Sequence, residues 1–493
     1  MKNLPLFYCI TLLWTTVANG SVYFVTDFDE KDATHILQAA FEAPYDTVFV
    51  PYMGKDWIIR PVVINASHKT IIFGSGVVVS AKTGAFGRYD KLFEIIEQQN
   101  LTIIGYGATW RMRKEEYLTG EWRHALSIVR CENISIYGLT IRDSGGDGIK
   151  IGRGRGGQPA YSKNIHIRDC ILDNNRRQAI SVISVDTLLI ENCVLRNTNG
   201  TAPQAGIDFE PNNSDERLRA ITIRNVDSYG NKGYGIQFLL PRLNSSSMAI
   251  SAVIQNCRVW GNIRGGVMVK SIGDKGVNGT ITFDGCIVRD NLGNSFTIQQ
   301  KSKLAARVNI TNCHIYNSDD YPIHLWGPAV QLGGIRFKNS YIVDNVDRPF
   351  LFVQGGSSIF DITGNVIVNN PFGGYMSIGN GSSNVTVQDS IETDITTFVA
   401  IPDINPRGGY FTTPITVSLS TETESTEIYY TIDGSEPTKN SLKYAAPLTL
   451  SQSALLKIQA YKDSRKSSIM RATFSISRGE IPPKPPEKLK VPE

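Results

Sequence analysis

The chain has 493 residues, of which 41% are hydrophobic and 19% charged, with 44 glycines and a formal net charge of +4. A chain of this length forms either several domains or one elongated repeat structure, and the composition is typical of an ordered, strand-rich protein. Because the net charge is small for the length, it gives no support for nucleic-acid binding.

The first residues resemble a secretory signal peptide. An apolar run from Leu4 to Val17 follows a single lysine, and small or polar residues extend from Ala18 to Ser21. No later run approaches the roughly 20 apolar residues that a membrane span needs. We therefore predict a signal peptide over residues 1–20 and a mature protein that is extracellular, or periplasmic in a Gram-negative bacterium, with no membrane contact. We expect it to be a monomer. Its ten N-x-S/T motifs would carry glycans only in a eukaryote.

A short amphipathic helix is predicted before the main body of the chain. Ile36, Leu37, Ala40 and Phe41 recur at helical spacing within "DATHILQAAFEA". A helix here would cover the open end of a repeat structure, which otherwise exposes strand edges.

Most of the chain consists of a repeat whose segments include "IRDCILDN", "IENCVLRN", "IQNCRVWGN" and "ITNCHIYN". A small residue marks the centre of each segment. The equivalent positions are Val77, Ala108, Leu139, Cys170, Cys193, Val226, Cys257, Cys286, Cys313, Ser340 and Val366. A second set of segments, including "GIKI", "AISV", "GIDF" and "GIQF", runs in step with the first. The two together predict an all-β chain with a right-handed parallel β-helix of about 11 coils over residues 21–400.

The cysteines occupy equivalent positions in consecutive coils. Cys170 follows this pattern with Cys193, and Cys257 with Cys286 and Cys313. We interpret them as small core residues. Adjacent coils also bring Cα atoms within disulfide range, so a disulfide in an oxidising compartment is left open.

The pattern changes near Ile401. Residues 401–476 alternate Thr, Val, Ile and Tyr with polar residues and contain the turn signal "DGSEPT", which predicts a small antiparallel β-sandwich. Residues 477–493 are rich in proline and lysine, and we expect an extended or disordered tail.

Each strand of the second set carries a residue that points outward between two inward apolar residues. This outward column is Glu94, Ser127, Lys150, Ser181, Asp208, Gln237, Met268, Thr297, His324, Leu351 and Ser377. In "GIDFEP", Asp208 and Glu210 face the same side, about 6.5 Å apart by strand rise. Inverting glycosidases use two carboxyl groups at a similar separation, and close carboxylates push each other's pKa values apart.

Basic and aromatic residues accompany these acids in the preceding coils. Arginine binds carboxylate or sulfate groups and tryptophan stacks on sugar rings, so the groove would suit an anionic polysaccharide. The predicted catalytic residues are Asp208, Glu210 and Asp147, and the predicted substrate-binding residues are Trp122, Arg123, His124, Lys150, Arg176, Arg177 and Gln178. The alternative is that these residues have no functional role and only form surface ion pairs between stacked turns.

The sequence resembles the pectate-lyase-like right-handed β-helix superfamily. "DATHILQAAFEA", "DTVFVPYMGKDWII" and "SHKTIIFGSGVVVSAKTG" are similar to the cap and first coils of polygalacturonase-type proteins, and "SGGDGIKIG" is similar to a segment that carries one of their acids. The resemblance implies a role for Asp147. However, Gly146 replaces a second acid, and Gln178 and Ala179 replace the family's His and Gly. The C-terminal region, through "IYYTIDGSEPT", is similar to the chitobiase C-terminal or GH29D-like β-sandwich family.

Three functions are compatible with these residues. The leading hypothesis is a secreted glycoside hydrolase of an acidic polysaccharide, which requires no cofactor. The second is a polysaccharide lyase or C5-epimerase in which Lys150 or Arg177 removes a proton and Asp147, Asp208 and Glu210 hold Ca²⁺. The third is a non-catalytic carbohydrate-binding or extracellular-matrix protein.

Overall fold

A computed structural model describes most of the chain. It covers residues 21–153, 159–327, 332–344, 346, 348–354 and 399–476, and the backbone of the strands between 356 and 392. The predicted signal peptide and the predicted C-terminal tail lie outside the described residues.

The chain divides into two compact units. The described residues of 24–43 and 48–398 form the larger unit, and those of 1–23, 44–47 and 399–493 form the smaller one.

Three parallel sheets, which we call A, B and C, contain 14, 13 and 12 strands. Sheet A consists of β1 (Val22–Phe24), β2 (Thr47–Val50), β5 (Lys69–Phe73), β8 (Gln99–Ile104), β11 (Glu132–Tyr137), β14 (Ser162–Arg168), β17 (Val185–Glu191), β20 (Leu218–Arg224), β23 (Ile250–Gln255), β26 (Gly279–Asp284), β29 (Arg307–Thr311), β32 (Leu332–Lys338), β35 (Gly356–Thr363) and β38 (Ser382–Val387).

Sheet B consists of β3 (Trp57–Ile59), β6 (Val78–Ala81), β9 (Thr109–Arg111), β12 (Thr140–Arg142), β15 (Ile171–Asp173), β18 (Val194–Arg196), β21 (Asp227–Tyr229), β24 (Arg258–Trp260), β27 (Ile287–Arg289), β30 (His314–Tyr316), β33 (Tyr341–Val343), β36 (Val366–Asn369) and β39 (Ile391–Glu392).

Sheet C consists of β4 (Val62–Val63), β7 (Phe93–Ile96), β10 (Leu126–Val129), β13 (Ile149–Gly152), β16 (Gln178–Val182), β19 (Ala205–Phe209), β22 (Tyr234–Leu239), β25 (Gly265–Ile272), β28 (Asn294–Lys301), β31 (Ile323–Trp326), β34 (Leu351–Gln354) and β37 (Met376–Ile378).

The chain visits sheets A, B and C in turn, so each coil contributes one strand to each sheet. The strands of sheet C pair in the predicted register, with Ile180 aligned between Ile149 and Ile207, all fully buried. Together with the smaller unit, this solenoid of about 11 turns confirms the predicted fold. One position of the outward column was wrong: His324 is aligned with Phe352, whereas Leu351 is aligned with Ile323 and is buried.

The corner between sheets A and B explains the repeated small residue. From β11 to β33, two residues separate the strands there, and the first has a positive φ, as at Asn225 (52°), Asn256 (53°) and Asn312 (54°). Asn and Gly tolerate this left-handed conformation best, which accounts for their recurrence in the sequence. The second corner residue points into the core. The loops from sheet C to sheet A differ in length instead, from residues 183–184 to residues 240–249.

Two ladders of like side chains run along the inside of the solenoid. The six cysteines of the described residues are buried and form no disulfide, and five of them recur at the corner between sheets A and B: Cys170, Cys193, Cys257, Cys286 and Cys313. A second ladder was not predicted: Asn231 donates to Asn262 at 2.9 Å, and Asn262 donates to Asn291 at 3.0 Å. Because all three amides are buried, each bond satisfies groups that water cannot reach.

The predicted N-terminal helix is present as α1 (Thr34–Glu42), which buries Leu37, Ala40 and Phe41. The ring of Phe41 lies 6.3 Å from Phe73 and 6.2 Å from Phe93, so the helix packs on the aromatic core of the first coils. No helix in the described part of the chain is long and apolar enough to cross a membrane.

The smaller unit contains two sheets in which all but one strand pair is antiparallel. Its strands are β40 (Asp403–Asn405), β41 (Gly409–Phe411), β42 (Ile415–Ser420), β43 (Glu427–Thr431), β44 (Leu442–Lys443), β45 (Leu448–Leu450), β46 (Ala454–Lys462), β47 (Arg465–Lys466) and β48 (Met470–Ile476).

Candidate active site

A cleft of about 550 Å³ lies on the outer face of sheet C, beside β7, β10 and β13. Three of the predicted substrate-binding residues line it: Trp122, His124 and Lys150. The full lining is Tyr89, Lys91, Glu94, Trp122, His124, Ser127, Val129, Lys150 and Asn212.

Aromatic rings form one wall of the cleft. Tyr89 and Trp122 stack with ring centroids 5.1 Å apart and planes 29° apart, and the Arg88 guanidinium lies 4.6 Å from the centre of the Trp122 ring. Stacked rings held in this way offer a rigid apolar surface at little cost in side-chain entropy, which suits contact with a sugar ring.

Two lysines contribute amine groups to the same cleft. Lys150 lies on β13, aligned between Ser127 and Ser181, and the described residues form no hydrogen bond or ion pair with its amine. Lys91 lies 3.6 Å from the Glu94 carboxylate. Burial lowers the pKa of Lys150, although the charge of Asp147 opposes this. The cleft therefore holds one amine that loses its proton more readily than an ordinary lysine.

His124 is a second basic group on the cleft wall. Its Nδ1 lies 3.0 Å from the backbone nitrogen of Asp147 and 3.2 Å from Oδ2 of the same residue. Burial lowers the pKa of His124, although the charge of Asp147 opposes this. Nε2 is buried and has no hydrogen-bond partner among the residues that the structure describes. It is thus available to a bound ligand.

Arg177 gathers the predicted acids around one guanidinium, and we call these residues the Arg177 cluster. Its Nε lies 2.8 Å from Glu121, its Nη2 3.1 Å from Glu210 and its Nη1 3.6 Å from Asp147. Nη1 also donates to the side-chain oxygen of Gln178 at 2.6 Å. Burial opposes the charge of Arg177, but Asp147 and Glu210 outweigh burial and raise its pKa.

Asp147 is buried inside this cluster. Burial disfavours its ionised form, yet its positively charged surroundings lower the pKa. The two neighbours that lower the pKa of Asp147 most are His124, whose Nδ1 lies 3.2 Å from Oδ2, and Arg177, whose Nη1 lies 3.6 Å from Oδ1.

Asp208 is fully buried beside the cluster and does not line the cleft. Gln178 donates to its Oδ2, and Gln237 donates to its Oδ1 at 3.1 Å. Burial, and next the negative charge of Glu210, raise the pKa of Asp208 well above its usual range. The two acids of "GIDFEP" therefore differ: Asp208 favours the protonated form, whereas Glu210 is ion-paired.

Two predicted substrate-binding arginines contact the loop between β9 and β10 instead of the cleft. Arg176 donates to the carbonyl of Gly120 and, at 2.9 Å, to that of Leu118, while Arg123 donates to Thr119 O at 2.7 Å. Their guanidinium groups are occupied by backbone carbonyls, so these residues shape the loop that carries Trp122 and His124.

Sequence reasoning missed Tyr89, Lys91 and Asn212 as lining residues. Tyr89 and Lys91 lie just before β7, one coil before the "EWRHALSI" segment, and Asn212 follows Glu210 by two residues. Continuing the comparison of turns by one further coil would have found the first two.

The residues proposed for Ca²⁺ do not fit that ion. Calcium requires six to eight oxygen ligands around one centre. Between Asp147 and Glu210 that centre is taken by the Arg177 guanidinium, and both oxygens of Asp208 are held by amide groups. In the described ranges, no three His, Cys, Asp or Glu side chains come close enough to hold a metal ion.

Comparison with known families agrees with both units. The family model "Right handed beta helix region" matches residues 122–240 and 245–332, and the "Chitobiase/beta-hexosaminidase C-terminal domain" matches residues 406–472. The larger unit thus contains a region similar to right-handed β-helices, and the smaller unit contains a region similar to chitobiase-type C-terminal domains.

One curated relative, the uncharacterized protein YclG of Bacillus subtilis, is 32% identical over 168 residues. The match covers 29% of this chain and 29% of the relative. Among solved structures, the A-module of mannuronan C-5 epimerase AlgE6 from Azotobacter vinelandii has a TM-score of 0.54 at 14% identity, covering 75% of this chain and all of that module. The tailspike gp49 of Acinetobacter baumannii bacteriophage Fri1, a capsular polysaccharide depolymerase, has a TM-score of 0.47 at 12% identity and covers 92% of this chain and 80% of its own. At these identities, the structural likeness establishes the fold alone.

Proposed function

We propose that this protein is a carbohydrate-active enzyme that binds an acidic polysaccharide in the sheet C cleft and removes the proton beside a uronate carboxylate. The observation that carries the proposal is the pair of Lys150 and His124 on one cleft wall, since burial lowers the pKa of both. A base poised near neutral pH is what abstraction of a carbon-bound proton requires.

Each group has a distinct role in this reaction. The Lys150 amine takes the proton from C5 of the uronate, and the electron pair moves toward the carboxylate, whose charge Lys91 stabilises. In a lyase, the electrons then form a C4–C5 double bond, the C4–O bond breaks and the leaving oxygen takes a proton from water. In an epimerase, a proton from water is added to C5 on the opposite face. His124 Nε2 forms a hydrogen bond with the substrate.

Arg177 is not the base in this proposal. Its pKa is raised by Asp147 and Glu210 despite burial, so the guanidinium stays charged and has no lone pair to accept a proton. Of the two bases proposed from the sequence, Lys150 and Arg177, only Lys150 can therefore accept the proton.

Hydrolysis is the second candidate, and the raised pKa of Asp208 favours it. A protonated carboxyl next to the ionised Glu210 is the pairing that a general acid needs. However, Asp208 is fully buried and bonded to two amides, so a glycosidic oxygen would reach it only after Gln178 and Gln237 moved. The geometry therefore supports the cleft bases better.

The similar structures support a polysaccharide as substrate. One is named as an epimerase of mannuronan and another as a depolymerase of a capsular polysaccharide. The anionic character of the substrate is proposed from Lys91 and Lys150. Secretion and a monomeric state remain predictions from the sequence.

The test is incubation of the full chain in D₂O with polyuronates and, as a control, a neutral glucan. For an epimerase, we expect deuterium at C5 of the uronate together with inverted configuration. For a lyase, we expect the ultraviolet absorbance of an unsaturated sugar, because C5 of that product carries no hydrogen. New reducing ends without deuterium or absorbance would refute proton abstraction and establish hydrolysis. Binding of every polyuronate without turnover would make the protein a carbohydrate-binding protein.

A further inference from the structure

We propose that Arg177 is the built-in counter-cation of the site, so that its acids are neutralised by a guanidinium and the protein needs no divalent metal there. The inference deepens the proposed function and rests on it wherever activity is measured. The claim that Arg177 neutralises these acids concerns only the Arg177 cluster and does not depend on an activity.

The first argument is the number of acids that meet at one cation. Glu121, Asp147 and Glu210 approach three different nitrogens of Arg177 at 2.8, 3.6 and 3.1 Å. These acids come from three separate coils, so the sequence brings them together only through the stacking of the solenoid. Carboxylates gathered around one point repel one another unless a positive charge lies among them, and one of these three, Asp147, is buried.

The second argument is that the backbone also fixes the arginine. The Arg177 N–H donates to the carbonyl of Gly146 at 2.9 Å, the residue before Asp147. The base of the side chain is therefore held against the same turn whose acid its tip contacts. A guanidinium fixed at both ends is preorganised for several acceptors, as a flexible lysine would not be.

The third argument is that Arg177 reaches both ends of the site through its partners. Through Asp147 it reaches His124, whose Nδ1 lies 3.0 Å from the backbone nitrogen of Asp147. Through Gln178, which accepts from Arg177 at 2.6 Å and donates to Asp208, it fixes the orientation of the amide at the buried acid. Arg177 is thus a positioning residue for His124 and Asp208.

The neighbouring Arg176 provides a matched control. It is also largely buried, but it binds the backbone carbonyls of Gly120 and Leu118 and has no ion pair among the described residues. Loss of either arginine removes hydrogen bonds of similar number. Of the two arginines, only Arg177 forms an ion pair with the buried Asp147 carboxylate.

The experiment compares thermal unfolding of the wild-type chain, Arg177→Ala and Arg176→Ala between pH 3 and pH 7, with added Ca²⁺ or chelator. We expect the wild-type Tm to be unchanged by either addition. We expect Arg177→Ala to lower Tm at pH 7 by about 5 °C or more, because breaking a buried ion pair is strongly destabilising.

The pH dependence distinguishes the electrostatic effect of Arg177 on Asp147 from the effect of its packing and hydrogen bonds. The pKa of Asp147 is lowered in the fold, so its stabilisation is present above its unfolded value of about 4 and is lost as pH falls through the folded value. The Tm deficit of Arg177→Ala should therefore shrink toward pH 3, whereas that of Arg176→Ala should not change with pH.

Two results would overturn the proposal. One is a wild-type Tm that falls on chelation and no longer does so in Asp147→Asn, which would place a metal at the cluster. The other is an Arg177→Ala deficit that is equally large at pH 3 and pH 7, which would make the contact structural and not electrostatic. Neither result depends on turnover, so failure here and failure of the proposed activity are distinguishable.

Discussion

Lys150→Arg is the substitution that discriminates best between a base and a charge in the cleft. Arginine keeps a positive side chain that binds a carboxylate, but its guanidinium is not deprotonated in proteins and cannot accept the C5 proton. Loss of a positioned general base reduces turnover by about 10² to 10⁴-fold. We therefore expect kcat of Lys150→Arg on a polyuronate to fall by at least about 10²-fold while KM changes little.

Lys150→Met adds a measurement that requires no substrate. A lysine whose pKa is lowered by burial destabilises the fold below its unfolded pKa of about 10.4, and each unit of lowering corresponds to about 1.4 kcal/mol. Methionine removes this cost, so the variant should lose activity while its free energy of unfolding at pH 7 rises by an amount on the order of 1 kcal/mol. The difference from wild type should decline as pH rises toward 10.

The assay is steady-state kinetics combined with urea unfolding of the same preparations. Wild-type kcat should rise with pH as the amine loses its proton, and Lys150→Arg should lack this limb. If Lys150→Arg kept more than about a tenth of wild-type turnover, Lys150 would bind substrate without taking the proton, and the assignment of the base would be wrong.

Three further outcomes follow from the geometry. Trp122→Ala should raise KM for oligosaccharides about 5-fold, since an aromatic contact is worth about 1 kcal/mol; an unchanged KM would place the sugar elsewhere. Asn262→Ala should lower the free energy of unfolding in urea by about 2 kcal/mol, because it removes the side-chain acceptor of the buried Asn231 N–H and one amide bond each from Asn231 and Asn291, and a neutral effect would contradict the ladder. The thiols of Cys193 and Cys286, whose pKa values burial raises, should react with a thiol reagent only after unfolding, and an intact mass lighter by two hydrogens would reveal a disulfide instead.

The fold was predictable because the sequence pattern that indicates it recurs in every coil. An error at one coil is corrected by its neighbours, since all coils share a register, and the column through Ser181, Asp208 and Gln237 was predicted correctly. The mistake at Leu351 arose where the flanking residues on both sides are apolar, so the sequence does not show which of Leu351 and Phe352 points inward.

The site was less predictable because residue spacing shows which face of the sheet a side chain lies on but not how deeply that side chain is buried. The sequence correctly placed Asp208 on the outer face but gave no sign that amides would bury it. Nor did it separate Arg176 from Arg177, two identical side chains in succession that the strand geometry sends to a loop and to an acid cluster. The contact between His124 and Asp147 joins different coils, and only the stacked structure shows it.

The unequal corners of the solenoid have a consequence for how such proteins diversify. From β11 to β33, each turn from sheet A to sheet B has two residues, whereas the loops that leave sheet C range from residues 183–184 to residues 240–249. Insertions at the edge of the cleft therefore leave the alignment of neighbouring coils unchanged. Evolution can thus change the loops that contact a polymer one at a time, while the β-helix that carries them keeps its structure.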